Sequence, residues 1–136
     1  MITAVDTNVL LDVLLPDARW VSQSSRALED AATAGSLVIC DPVYAGLCVH
    51  FEKQSECDEF LDDNDIRIEA LSSTASFLAC RAWRTYREQG GKRTRILADF
   101  LIGAHAQLQA SRLLSRDRGF YRSLFPKLLL VDPVGL

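Results

Sequence analysis

Three aspartates of the 136-residue chain lie where a lone carboxylate should be costly. Asp6 closes the apolar run Ile2–Val5, Asp99 is the one acid in I-L-A-D-F-L-I-G-A-H-A, and Asp117 follows L-L-S-R. Burying a carboxylate is strongly unfavourable unless it is paired or binds a cation. Three carboxylates brought together would repel one another, and a divalent cation is the simplest remedy. Oxygen ligands without Cys or His suit Mg2+ or Mn2+. Each residue also has a structural alternative. Asp6 could stabilise a turn, Asp99 could pair with Arg95 one helical turn earlier, and Asp117 could cap a helix starting at Arg118.

The elements that must position these residues follow from hydrophobic pattern and punctuation. Ile2 to Val5, Leu37 to Cys40, Ile66 to Leu71, Leu113-Leu114 and Leu128 to Val131 read as short strands. Ser22 to Ala34, Ser73 to Gln89 and Ile96 to Gln109 read as helices, with Gly35 suited to end the first and Gly90-Gly91 the second. Asp41-Pro42 reads as an N-cap followed by proline at the first helical position, opening a helix with Val43, Leu47 and Phe51 on one face. Strands alternating with helices predict an α/β fold with a central parallel sheet of about five strands flanked by helices. Sites in such sheets gather beyond the carboxyl ends of the strands, where Asp6 and Asp117 both fall.

Composition narrows the class. Hydrophobic residues make up 49% and charged residues 24%, with no repeat or linker, so residues 1–136 are expected to form one domain. Asp12 and Asp17 break the first apolar run, so no membrane span is expected; no basic segment precedes that run, so no signal peptide is expected, and the location implied is cytoplasmic. Cys40, Cys48, Cys57 and Cys80 show no metal-ligand spacing and read as buried small hydrophobes. His50 and His105 read as packing residues. The charge is lopsided: residues 1–68 carry four Lys/Arg against thirteen Asp/Glu, and residues 69–136 carry eleven against five. That asymmetry suits either a polyanion or a complementary protein partner, or simply solvated helix faces.

The blocks V-D-T-N-V-L-L-D, L-A-D-F-L-I-G-A-H-A, L-L-S-R-D-R-G-F-Y and F-P-K-L-L-L-V-D-P, in this order and spacing, resemble the PIN-domain nucleases, and more closely the VapC toxins of prokaryotic toxin–antitoxin pairs. The resemblance spans essentially the whole chain. It implies a PIN-like three-layer fold and a pocket that binds Mg2+ or Mn2+ and hydrolyses RNA phosphodiesters. Carried over, Asp6, Asp99 and Asp117 match the catalytic, metal-binding aspartates, and Asn8 and Ser115 match polar residues that hold them in place. It further implies a VapB-type antitoxin partner, whose amphipathic segment would lie on the apolar early helices and whose arginine can block the pocket. A homodimer is implied as well, assembling with antitoxin into a heterotetramer or larger complex.

One position departs from that pattern. Where the family carries a glutamate in V-Y-A-E-L, this chain reads V-Y-A-G-L, with Gly46. An interior helical glycine costs ~1 kcal/mol relative to alanine, so the substitution is unfavourable for the helix as well. Either Gly46 is natural, giving a weakened nuclease or a non-catalytic binding module, or it arose during cloning of a toxic enzyme. Glu52, six residues on, would point about 240° away on a continuous helix and is a poor replacement.

Basic residues gain a role beside such a pocket. Arg93, Arg95, Arg116 and Arg118 are candidates for the RNA backbone, with Arg81, Arg84 and Arg87 at helical spacing nearby. Two rival enzyme classes fit less well. A haloacid-dehalogenase-type phosphatase needs D-x-D, where this chain has Asn8; a phosphoacceptor receiver needs an acidic pair after the first strand and an acceptor Asp after the third. A PIN-like RNA- or protein-binding module without catalysis is the stronger rival.

Overall fold

The structure, a computed structural model, describes residues 1–92 and 97–135. The chain runs β1 (Ile2–Val5), α1 (Thr7–Leu14), α2 (Val21–Ala34), β2 (Ser36–Ile39), α3 (Asp41–Cys48), α4 (Gln54–Asp63), β3 (Ile66–Ile68), α5 (Ser73–Glu88), α6 (Leu97–Gln109), β4 (Arg112–Leu114), α7 (Arg118–Leu124) and β5 (Leu130–Val131). The five strands form one parallel sheet in the order β3-β2-β1-β4-β5, flanked by the helices, as the alternating pattern predicts.

The order explains why chemistry can collect where it does. The chain moves outward from β1 through β2 to β3, then returns to the other side of β1 for β4 and β5. The connections after β1 and β4 therefore diverge and leave a crevice beyond those two strands. In register, Val5 pairs with Leu114, and the next amide, Asp6 N–H, donates to Leu114 O at 2.9 Å. Asp6 and Ser115–Asp117 emerge side by side at that crevice.

Packing fixes the frame. Leu37, Val38 and Ile39 of β2 and Leu113 and Leu114 of β4 are buried, as continuous apolar runs require when a parallel sheet is covered on both faces. The paired helices α5 and α6 bury Ala75, Ala79 and Phe100 fully, and Tyr86 of α5 lies edge-on to Phe100 of α6 at 5.4 Å. Gly90 ends α5 with φ +79, the left-handed conformation glycine tolerates, and Gly91 N–H returns to Tyr86 O at 2.8 Å. A side chain at Gly91 would strike the Tyr86 ring at 2.5 Å, so glycine is needed there for space.

Several boundaries differ from the sequence expectation. Asp41 lies inside α3, and Cys40 is its N-cap, so Pro42 sits one position deeper than predicted. Helix α3 ends at Cys48; Phe51 falls in the following turn and packs on Phe60 of α4 at 6.1 Å. Glu52 is therefore not on the helix of Gly46, and the helical-angle argument for it does not apply. Helix α4 has only Cys57, Phe60 and Leu61 as apolar residues in Q-S-E-C-D-E-F-L-D-D, too few for the periodicity to announce it. The third strand stops at Ile68, because its partner β2 ends at Ile39; one further bond, Glu69 N–H to Ile39 O at 2.8 Å, closes the pairing. Cys40 and Cys57 are buried and Cys48 half-buried, but Cys80 is exposed on α5, contrary to expectation. No helix among the described residues is long and apolar enough to cross a membrane.

Candidate functional site

Asp6 sits between β1 and α1 and serves both. Its main chain ends the strand, and its Oδ1 accepts the Thr7 N–H at 2.7 Å, capping α1. The turn-forming alternative is thus realised, and it accounts for only one of the two carboxylate oxygens. Oδ2 accepts the Ser115 hydroxyl at 2.7 Å and the Tyr121 hydroxyl at 3.0 Å, with the Asn8 amide at 3.4 Å. Asp6 is 5% exposed, and burial pushes the pKa of its carboxylate up. The hydroxyl donors and the Thr7 amide pull it back down in part, whereas the negative charge of Asp99 raises it further.

Ser115 is the hub between β1 and β4. Besides donating to Asp6, its Oγ accepts the Asp117 N–H at 2.9 Å and faces the Asn8 amide at 3.4 Å. Asn8 Oδ1 in turn accepts the Arg116 N–H at 3.2 Å. Asn8 and Ser115 therefore tie the α1 start to the turn after β4, fixing where Asp6 and Asp117 stand.

Asp117 is half-buried at the N-cap position of α7, and its side chain makes no capping bond there, so helix capping does not explain its carboxylate. Asp99 is half-buried in the first turn of α6. Arg95, the alternative partner of Asp99, and Arg93 lie outside the described residues, as does Ile96. The electrostatic reach of the three acids meets at Tyr121. Burial and the charge of Asp6 push its hydroxyl far up, and Asp99 and Asp117 add to the rise, so the phenol stays a hydrogen-bond donor.

The sequence pattern does not mark Tyr121. It is 1% exposed and follows Asp117 by four positions, one turn along α7. The signal that could have found it is a hydroxyl-bearing aromatic on the inward face of the helix that starts at the third acid. It ends a row of edge-on rings, Tyr86 to Phe100 at 5.4 Å, Phe100 to Phe120 at 5.2 Å and Phe120 to Tyr121 at 5.0 Å. Through these rings the α5–α6 layer sets the position of α7.

Arg116 is committed inward. Its Nε and Nη2 donate to Asp12 Oδ2 and Oδ1 at 2.8 and 2.9 Å, Ser24 Oγ donates to Asp12 Oδ2 at 2.6 Å, and the guanidinium lies 5.0 Å from the Trp20 ring. Arg116 thereby anchors the Ser115–Asp117 turn to α1 and α2, a role the sequence pattern did not suggest. Arg118 Nε lies 3.9 Å from Asp132 Oδ2. On α5, Arg81 lies over Phe77, Arg87 over Trp83, and Arg84 pairs with Glu88. Buried His105 meets Glu69 at 2.9 Å, in keeping with a packing role.

Gly46 faces the site from α3. A β-carbon built there would lie 3.2 Å from the Thr7 methyl and 3.6 Å from its hydroxyl. Position 46 is therefore directed at Thr7, the residue next to Asp6.

The donor chemistry suits a hard divalent cation. Oδ2 of Asp6 already accepts two hydroxyl bonds, while Oδ1 accepts a single backbone N–H and keeps a lone pair. Asp99 and Asp117 carry carboxylate oxygens of the same hard type; burial is the main cause of the raised Asp6 pKa, and the charge of Asp99 adds to it. Among the described residues no three His, Cys, Asp or Glu side chains are already arranged around a cation-sized space.

Residues 3–123 match the PIN domain family. No curated protein matches the chain. Among solved structures, similar folds include VapBC2 from Rickettsia felis bound to a DNA fragment from the promoter, at 21% identity and TM-score 0.73, covering 97% of this chain and 98% of that one. VapBC-1 from nontypeable Haemophilus influenzae is similar at 15% identity and TM-score 0.73, covering 98% and 99%. A toxin–antitoxin complex from Klebsiella pneumoniae is similar at 23% identity and TM-score 0.64, covering 98% and 99%.

Proposed function

The chain belongs to the PIN domain family, and from that premise we propose that it is the toxin of a type II toxin–antitoxin pair, a Mg2+- or Mn2+-dependent endoribonuclease lowered in activity by Gly46. The observation that carries the reading is Asp6: a buried carboxylate held by Ser115 and Tyr121 at the crevice between β1 and β4, under the charge of Asp99.

Asp6, Asp99 and Asp117 would hold the cation, which when bound supplies a Lewis acid that polarises the scissile phosphate and lowers the pKa of an attacking water. The chain's own groups do the positioning. Ser115 and Tyr121 hold Oδ2 of Asp6, Thr7 N–H orients Oδ1, and Asn8 locks the turn that carries Asp117. None of these residues needs to act as a covalent nucleophile. With Gly46, the pocket has three of the four acids that the family pattern supplies.

The partner in this reading is an antitoxin, in line with the toxin–antitoxin assemblies of similar fold, and the toxin itself is a cytoplasmic homodimer. Arg93, Arg95 and Arg118 would face the RNA backbone, while Arg116 acts through its bond to Asp12. The second reading, a non-catalytic RNA- or protein-binding module, is favoured by Gly46 alone.

The test is cleavage of a mixed RNA by the chain and by Gly46→Glu, over a Mg2+ and Mn2+ titration. Metal-dependent cleavage that rises in Gly46→Glu and disappears in Gly46→Glu/Asp6→Asn is the expected result. No cleavage by Gly46→Glu, with no cation binding at millimolar concentration, would replace the enzyme with the binding module.

A further inference from the structure

Away from the carboxylates, α3 and α4 bring two thiols into contact. Cys48 Sγ lies 3.9 Å from Cys57 Sγ, nine residues along the chain, and both are reduced. Cys48 is the half-buried last residue of α3, beside an exposed turn; Cys57 is fully buried on α4.

The two helices are held together on either side of the pair. Tyr44 of α3 donates its hydroxyl to Asp58 Oδ1 of α4 at 2.6 Å, and Phe51 packs on Phe60. A disulfide has its sulfurs about 2.0 Å apart, so closure needs an approach of about 1.9 Å from the observed separation. Side-chain rotation at Cys48, next to the turn, can supply much of it.

We propose that Cys48 and Cys57 are an oxidative modification site, closed by a hydroperoxide into an intrachain disulfide that staples α4 to α3. Cys48, the more exposed residue of the two, attacks the peroxide oxygen as its thiolate. The O–O bond breaks, leaving a sulfenic acid on Cys48 and, after protonation, one water or alcohol. The sulfur of Cys57 then attacks the Cys48 sulfur, and the departing hydroxide leaves as water with the Cys57 proton. The sum is two thiols and one peroxide giving one disulfide and two waters when the oxidant is hydrogen peroxide.

The environments order the roles. Burial and the neighbouring Cys48 push the Cys57 thiol up to about 11, so it resolves rather than initiates. Cys80, exposed on α5, is the competing thiol. The site stands independently of the nuclease reading.

The test is treatment of the purified chain with hydrogen peroxide, acid quench, alkylation after unfolding and peptide mass analysis. Expected is a Cys48–Cys57 peptide pair two hydrogens lighter, with Cys40 and Cys80 alkylated, reversed by dithiothreitol, and a melting temperature raised by roughly 5 °C. Cys48→Ser, a change at a half-buried position, must abolish the crosslink with the circular dichroism unchanged, and Cys80→Ser must leave it intact. Cys48 driven to sulfinate while Cys57 stays alkylatable, or crosslinking confined to Cys80 between chains, would overturn the proposal.

Discussion

Gly46 of α3 faces Thr7 of α1 so closely that a β-carbon at 46 would lie 3.2 Å from the Thr7 methyl. Thr7 directly follows Asp6, so a residue at 46 borders the carboxylate site even though 40 positions separate it from Asp6 in the chain.

A glutamate at this position has a path to the site from its first carbon. Gly46→Glu is expected to raise metal-dependent RNA cleavage at least about tenfold, the scale on which metal sites respond to loss of a supporting group. Gly46→Ala separates the helix effect from the charge: it should gain about 0.5 kcal/mol, less than the usual helical gain because Thr7 must give way, and leave cleavage unchanged. Urea denaturation and the cleavage rate read the two effects apart.

Tyr121→Phe removes one hydroxyl from Asp6 Oδ2 and leaves Ser115 as its closest donor. The loss should be about 1.5–3 kcal/mol of stability, as expected for a buried bond to a charged group. It should also weaken Mn2+ binding by changing the set of Asp6. Stability equal to wild type would show that the phenol does not hold the carboxylate.

Asp6 supplies a pH signature. Its folded pKa lies above the ordinary 3.8, so the fold takes up this proton at a higher pH than the unfolded chain does. Its ionisation therefore subtracts stability: the penalty is absent below about pH 3.8, grows through the raised value and is complete above it. Asp6→Asn should be more stable than the parent chain near neutral pH and lose that advantage as the pH falls through this window. Urea midpoints of both proteins across the range check it, and a difference independent of pH would contradict it.

Arg116 and Asp12 should respond unequally. Asp12 is 4% exposed at its side chain and Arg116 26%. Arg116→Ala strands a buried carboxylate with, among the described residues, only the Ser24 hydroxyl as side-chain donor and should cost about 3 kcal/mol. Asp12→Ala frees a guanidinium that can turn toward water and should cost about half as much. Equal losses in denaturation would mean that Arg116 cannot relax.

A cation should show itself in stability before activity. Mn2+ at 100 times its dissociation constant should add about 2.7 kcal/mol, and Asp6→Asn should abolish the gain. A shift in melting temperature that survives in Asp6→Asn would place the ion elsewhere.

Much of this was legible in the sequence, for identifiable reasons. The strands Ile2–Val5 and Ser36–Ile39 are short apolar runs between turn signals, and α5 lies between its Ser72 cap and Gly90. Local chemistry specifies such elements, so they could be read locally. Helix α4 escaped because three apolar residues among acids give no clear period; its place depends on burying Cys57 and Leu61. Asp6 and Asp117 could be assigned to one sheet edge because parallel topology puts strand ends together.

The sequence by itself determined the alternation of strands and helices, the acids at the strand ends and the glycine in the helix after the second strand. Only the tertiary structure decided that Tyr121 bonds Asp6, that Arg116 turns inward to Asp12, and that Cys48 meets Cys57. Each of those contacts joins separate elements, and the orientation of a side chain across such a gap is set by packing and burial rather than by its neighbours in the chain.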